Sequence, residues 1–329
     1  MSASHNQRHY HSLFMRVSML AILGLPISAC STLTSTTSTA SLAPEIKPPT
    51  VALVLGGGGA KGFAHVGVIK ALEEQGITPT LIVGTSVGSL VGSLYASGYT
   101  PAQLEQLALT TTDSELTDFV LSNQGFVEGI KLKNFINNKV GGRAIESFPI
   151  RFAAIAAEKN TLAKTVFTTG DAGLAVQASC SIPNIFIAPR IPETVGKKYI
   201  DGGVVSLVPV DSARDLGADI VIAVDVTAPS MNSSTPAINN MPTLNSISSI
   251  WGFIENNMAA QPSTNRTLAM RQERDRADIV ITPDVGHISS IDTRQRRALI
   301  TAGTQATTPQ ITAIKQLIQQ KSQSKYATL

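Results

Sequence analysis

The sequence predicts an α/β protein: a three-layer α/β/α sandwich around a mainly parallel central sheet. Three observations carry that expectation. Short continuous apolar runs such as Val51-Ala52-Leu53-Val54-Leu55 have the character of strands buried on both faces. Stretches with helical spacing alternate with these runs, and alternating strands and helices build a parallel sheet covered on both sides. Two runs end in glycine-rich turns that open directly into a helix, Gly56-Gly57-Gly58-Gly59-Ala60-Lys61-Gly62 and Gly84-Thr85-Ser86-Val87-Gly88. The length of 329 residues allows one or two domains, and 43% hydrophobic with 15% charged residues is a globular composition. A net charge of +3 without a run of Lys or Arg gives no ground for nucleic-acid binding. Two cysteines, Cys30 and Cys180, leave no disulfide framework.

The chain opens on an export signal. Arg8 and Arg16 precede an uncharged apolar stretch, residues 17–28, too short to span a bilayer comfortably and right for a signal h-region. It ends Ile27-Ser28-Ala29-Cys30, which resembles the bacterial lipobox and implies cleavage before Cys30 and lipid attachment to it. Met15, followed by Arg16 and the apolar run, is an alternative start. Residues 1–29 are therefore expected to be a signal peptide and residues 30–50, rich in Ser, Thr and Pro, a tether. Ser31 follows the cysteine rather than Asp, so the expected location in a Gram-negative cell envelope is the outer membrane.

In order along the rest, residues 51–55 form the first strand and 63–75 a helix with Val66, Ile69, Ala71 and Leu72 on its apolar stripe, closed by Gly76. Residues 81–83 are the second strand, and the helix after Gly88 ends near Gly98. Thr100 caps the next helix, with Pro101 at its first position. Residues 110–142 mix helix and loop. Residues 152–157 read as a buried strand, 165–168 as its hairpin partner, and 173–178 as a short helix leading into Ser179-Cys180-Ser181-Ile182-Pro183. A strand at 197–200 stops at Asp201-Gly202-Gly203. A helix at 209–216, a strand at 220–226, a polar loop at 228–243, a long helix at 246–277 broken near Pro262, and a strand at 279–282 follow. Trp251, Phe253 and Ile254 are expected in the core. Arg271, Arg274, Arg276, Arg294, Arg296 and Arg297, interspersed with Glu273, Asp275, Asp278 and Asp292, read as a solvated helix surface. Residues 51–285 are the expected catalytic domain, and 286–329 a C-terminal helical segment packed on it, with a break at Pro309.

Gly84-x-Ser86-x-Gly88 between a strand and a helix is the nucleophile-elbow pattern. A serine on so sharp a turn needs very small neighbours two residues away, and the N–H groups at the helix start face an oxyanion forming beside it. The first glycine loop admits three readings. Gly57-x-Gly59-x-x-Gly62 is the dinucleotide spacing, but no acidic residue ends the second strand to hold a ribose. A Walker A loop needs Gly-Lys-Ser/Thr, and Lys61 is followed by Gly62. The third reading is an oxyanion hole of backbone N–H groups unobstructed by Cβ atoms. For the base, His65 and His287 are the histidines of the mature chain, and Asp201 ends a strand before two glycines. Cys180 reads as a small buried residue.

Taken together, Gly57-Gly58-Gly59-Ala60-Lys61-Gly62, Gly84-Thr85-Ser86-Val87-Gly88 and Asp201-Gly202-Gly203 resemble the patatin-like phospholipase family. Ser179 with Pro183 matches the family's Ser-x-x-x-Pro block. The resemblance covers about residues 51–225. It implies the patatin-like sandwich and a Ser-Asp dyad without histidine, with Ser86 as nucleophile and Asp201 as base. It also implies oxyanion N–H groups from Gly57, Gly58 and Gly59, with Lys61 in the family's Arg/Lys position. Gly62, Gly84, Gly88, Gly202 and Gly203 support the motifs. The implied substrate is a lipid ester, with no metal or organic cofactor. Gly56 stands where the family often has Asp. An Asp base is expected to stay ionised well below the histidine range unless burial raises its pKa. The alternative is a membrane-tethered lipid-binding or scaffold protein on the same fold with little turnover.

Overall fold

The computed structural model describes residues 48–228 and 264–327. Cys30 with its signal and tether, most of the 228–243 loop, Trp251, Phe253, Ile254 and the first part of the expected 246–277 helix lie outside those residues.

The strands are β1 (Val51–Leu55), β2 (Leu81–Thr85), β3 (Arg151–Glu158), β4 (Lys164–Phe167), β5 (Arg190–Ile191), β6 (Lys197–Asp201), β7 (Ile220–Val224) and β8 (Ile279–Ile281). The α-helices are α1 (Phe63–Glu73), α2 (Val87–Ala96), α3 (Pro101–Thr110), α4 (Asp113–Leu116), α5 (Ile130–Lys139), α6 (Ala172–Ser179), α7 (Val210–Asp215), α8 (Thr264–Arg274), α9 (Arg296–Thr307) and α10 (Ile311–Ala327). The predicted strands are all present. Thr100 caps α3 in a reciprocal capping box with Gln103, and Pro309 sits in the 3-10 turn Thr308–Gln310 that separates α9 from α10.

β3, β2, β1, β7 and β8 are parallel, so the sheet is mainly parallel as expected. β4 and β6 both run antiparallel to β3. Since β4 occupies one edge of β3 over 154–157, β6, which pairs with Ala156–Glu158, must join the other edge. That is the edge where β2 ends opposite Ile155. On this edge Thr85 faces Ile155 and Asp201 faces Ala156, so two strands from distant parts of the chain deliver their last residues to adjacent positions.

Alternation along the strands divides the apolar side chains between two cores. Val51, Leu53 and Leu55 pack with α1, α2 and α9 on one face, whereas Ala52 and Val54 pack with α7 residues Val210 and Ala213 on the other. On the first face α9 lies against α1 at backbone contact. A Cβ added to Gly67 would stand 1.8 Å from the Ile300 carbonyl oxygen, and one on Gly303 would stand 2.0 Å from that of Ala64.

The charged surface expected around residues 271–297 is only partly solvated. Arg271, Arg276, Arg294 and Arg297 are exposed. Glu273 is buried and accepts from Ser206 Oγ at 2.9 Å, and Arg274 pairs with Asp225 at 2.9 Å. Arg296 pairs with Asp113 at 3.0 Å. α8 lays one side on the loop after β6 and on the end of β7, a contact between segments far apart in sequence.

Glycine to alanine in a helix ordinarily stabilises by about 1 kcal/mol. Gly303→Ala should reverse that sign and cost about 1–3 kcal/mol through overpacking. Urea unfolding of the variant beside wild type reads this directly; a gain in stability would show that the two helices are not held at backbone contact.

Candidate active site

Close packing accounts for the glycines of the elbow. A Cβ on Gly84 would stand 2.4 Å from the Gly88 carbonyl oxygen, and one on Gly88 would stand 2.0 Å from that of Leu55. Ser86 between them takes φ 54° and ψ −127°, a conformation that costs a side-chain-bearing residue of order 1–3 kcal/mol. What holds it there is a relay through Ser179. The Ser86 N–H donates to Ser179 Oγ at 2.9 Å, and the Ser179 hydroxyl donates to the Ile155 carbonyl at 2.5 Å. Ser89 Oγ closes the other side by donating to the Ser86 carbonyl at 2.7 Å. Ser86 is 8% exposed at the mouth of α2, whose first N–H groups have no partner within the helix.

Asp201 reaches the same place from β6. Its N–H donates to the Ser181 carbonyl at 2.8 Å, and its Oδ1 accepts from the Gly203 N–H at 2.7 Å. Gly202 is required by the neighbour, since a Cβ there would meet the Ile155 carbonyl oxygen at 2.3 Å. Oδ2 is buried without a hydrogen-bond partner of ordinary geometry, yet the Ser86 hydroxyl is near enough to act on the carboxylate. Burial pushes Asp201 up to about 6, against the pull of the Ser86 hydroxyl and the Gly203 N–H. The exception attached to the sequence expectation therefore applies, because at 3% exposure desolvation dominates.

The first glycine loop lies against the elbow. A Cβ on Gly62 would fall 2.3 Å from Val87 Cγ2, and one on Gly57 would fall 3.3 Å from Ser86 Cβ. Gly59, at φ 57°, has the Ser290 carbonyl where its Cβ would be, at 2.3 Å. The glycines are thus accounted for by protein neighbours rather than by a dinucleotide. The structure corrects one assignment. The Gly57 N–H donates to the Leu207 carbonyl at 3.0 Å, so it is already spent. Among the described residues the N–H groups of Gly58 and Gly59 carry no such bond, and they are the donors left for an oxyanion. Lys61 lies in the 3-10 turn Gly59–Gly62, its N–H donating to the Gly58 carbonyl at 3.3 Å.

The histidines go elsewhere. His65 is fully buried and bonds through Nε2 to the Gly56 carbonyl at 2.8 Å, bracing the loop from behind. Burial lowers its pKa to about 4, so it stays neutral, with Nε2 as the donor. His287 is exposed after β8. Neither is hydrogen-bonded to Ser86 or Asp201. Cys180 is buried 3.9 Å from Ser89 Oγ, and burial pushes its thiol far up, which suits a packing residue.

Sequence reasoning missed the roles of Ser179, Leu207 and Ser290. Ser179 stood in a recognised block, but nothing local reveals that its hydroxyl bridges Ser86 to Ile155. Thr85 Oγ1, donating to the Ser206 carbonyl at 2.9 Å, is a further tie between elbow and the loop after Asp201.

Residues 53–214 match the patatin-like phospholipase family. An uncharacterized NTE family protein of Mycobacterium bovis is 36% identical over 184 residues, 54% of this chain and 49% of that protein. A lysophospholipase of Pyricularia oryzae is 30% identical over 263 residues, 78% of this chain but 16% of that protein. The chain therefore spans about half the length of its mycobacterial relative and a far smaller share of the fungal one. The crystal structure of VipD from Legionella pneumophila superposes with a TM-score of 0.55 at 13% identity, covering 81% of this chain and 67% of that one, a likeness of fold. The domain that carries the elbow, the glycine loop and Asp201 is a patatin-like phospholipase domain.

Proposed function

We propose that the protein is a serine acyl hydrolase of lipid esters working through a Ser86–Asp201 dyad. The observation that carries this reading is the strained Ser86 elbow with its hydroxyl acting on a buried, underbonded Asp201 carboxylate. Ser86 Oγ attacks the ester carbonyl as Asp201 takes its proton. The oxyanion is held by the Gly58 and Gly59 N–H groups and the first N–H of α2. Collapse expels the alcohol, which leaves with the proton from Asp201, and an acyl-serine remains. Asp201 then deprotonates water, whose attack releases the fatty acid and returns the proton to Ser86. Fatty phospholipids, lysophospholipids and simpler lipid esters all fit this chemistry, and the family membership of the domain favours the phospholipid class.

Turnover of a short-chain nitrophenyl ester should vanish in Ser86→Ala, an outcome that a non-catalytic lipid-binding protein on this fold would not give. Asp201→Asn should lower kcat by about 10²–10⁴-fold, whereas His287→Ala should stay near wild type. Because the base must be ionised, kcat/KM is expected to fall as pH drops through about 6, the value to which burial brings Asp201. The same burial has a cost to the fold. With its folded pKa above the free value, Asp201 binds more protons in the native than in the unfolded state across that window, so stability falls as pH rises through it. Asp201→Asn should therefore melt above wild type at pH 8 and lose that advantage towards pH 4. An active Asp201→Asn beside a dead, folded His287→Ala would overturn the dyad.

We further propose that the protein is an exported lipoprotein held to the cell envelope through acylated Cys30, on the support of Ile27-Ser28-Ala29-Cys30 after an uncharged apolar run. Two or three acyl chains anchor far more firmly than one. Cys30→Ser should release the processed protein from membranes on fractionation; equal retention would refute the anchor.

A further inference from the structure

Five of the six large apolar side chains that stand exposed among the described residues gather at one edge: Phe119, Leu121, Phe126, Leu162 and Val195. Leu121 is fully exposed and Val195 is 83% exposed. Scattered singly, such residues need no explanation, but gathered together they mark an interaction surface. Phe119, Leu121 and Phe126 belong to a short hairpin closed by the Phe119–Val127 bridge. Leu162 tops the β3–β4 turn, and Val195 tops the β5–β6 turn.

The same edge is cationic. Lys159, Arg190, Lys197 and Lys198 line an open cavity of about 530 Å³ that does not include Ser86 or Asp201. Two acids stand nearby. Glu158 is buried, turned to the Asn160 N–H and the Thr161 hydroxyl, and its charge also acts on Lys197, whereas Glu193 is paired with Lys133 at 2.6 Å, so four cations face one neighbouring carboxylate. Lys198 Nζ ties the two halves together by donating to Gln124 Oε1 in the hairpin at 2.7 Å.

Strand register places this edge relative to the site. β3 is level with the elbow at Ile155 and runs on past it to Glu158; beyond that the Lys159 N–H donates to the Lys198 carbonyl at 2.8 Å. Lys197 is four residues from Asp201 along β6, about 13 Å at strand spacing. The hairpin is fixed to the segment that follows Ser181, with the Phe126 and Val127 N–H groups both donating to the Ile185 carbonyl, at 2.7 and 2.9 Å. The apolar and cationic residues thus stand at the carboxyl end of the sheet, the end at which Ser86 lies.

We propose that this edge is the face by which the protein docks on an anionic lipid bilayer. Phe119, Leu121 and Phe126 enter the boundary between headgroups and acyl chains, while Lys159, Arg190, Lys197 and Lys198 meet the lipid phosphates. A bilayer supplies both an apolar depth and a dense plane of phosphate, matching the two halves of the edge; a free phosphate would use the cations alone. The inference rests on the lipid-hydrolase reading in one respect, that a membrane substrate must be brought to Ser86. Docking nonetheless has its own readout.

The test is flotation of the processed chain, residues 30–329, carrying Cys30→Ser so that neither the apolar signal nor an acyl anchor contributes, with phosphatidylcholine vesicles containing about 30% phosphatidylglycerol or none. The parent should bind the anionic vesicles more tightly. Phe119→Ser combined with Leu121→Ser, and separately Lys159→Gln combined with Lys197→Gln and Lys198→Gln, should each weaken that binding by about tenfold or more. The lysine variant should also lose the preference for phosphatidylglycerol. Soluble nitrophenyl ester turnover should be unchanged in both, which shows the folded site intact. Ser86→Ala should bind vesicles like the parent, so a dead enzyme that still docks through these residues upholds the docking face and counts only against the hydrolase reading. Binding unaltered in both variants, or inorganic phosphate at millimolar concentration displacing the protein from neutral vesicles, would overturn the proposal.

Discussion

The carbonyl of Ile155 is the point on which the site depends. It accepts the Ser179 hydroxyl, through which Ser179 in turn holds the Ser86 N–H, and it lies where a side chain on Gly202 would stand. One backbone oxygen on a central strand therefore sets the positions of the elbow, of the turn after Asp201 and of the serine that joins them. A strained residue such as Ser86 persists only where its surroundings over-determine it. Here the determinants are close backbone approaches at Gly84 and Gly88 and hydrogen bonds on both sides of the serine.

The electrostatics follow from the same compactness. Asp201 arrives at Ala156 because β6 takes the part of the β3 edge that β2 leaves empty, and that place is dry. Dehydration raises the carboxylate towards neutrality and leaves one oxygen without a full partner. An acid so placed is a poor contributor to stability and a good proton acceptor near neutral pH. His65, buried behind the loop and kept neutral, shows the opposite use of burial: it braces Gly56 and is hydrogen-bonded to neither Ser86 nor Asp201.

Much of this was legible in the sequence because it depends on short-range constraints. The elbow spacing encodes glycines two residues either side of Ser86, of which Gly84 closes on the Gly88 carbonyl, and continuous apolar runs encode buried parallel strands. What was hidden depends on partners far along the chain. The Gly57 N–H looked available because its acceptor, Leu207, lies 150 residues away. Glu273 looked solvated because its partner Ser206 lies 67 residues earlier, in the loop after β6. The raised pKa of Asp201 needed its burial, which an Asp-Gly-Gly turn alone does not disclose. The apolar and cationic edge draws on four separate segments, none of which is unusual by itself.

The central claim is that Asp201, and no histidine, activates Ser86. Its most direct test is the rate at which a fluorophosphonate labels the protein, followed by intact mass and peptide mapping. The account predicts a single adduct on Ser86, none in Ser86→Ala, labelling slowed by at least about 10²-fold in Asp201→Asn, and a wild-type rate in His287→Ala. An adduct at another residue, or undiminished labelling of Ser86 in Asp201→Asn, would contradict it.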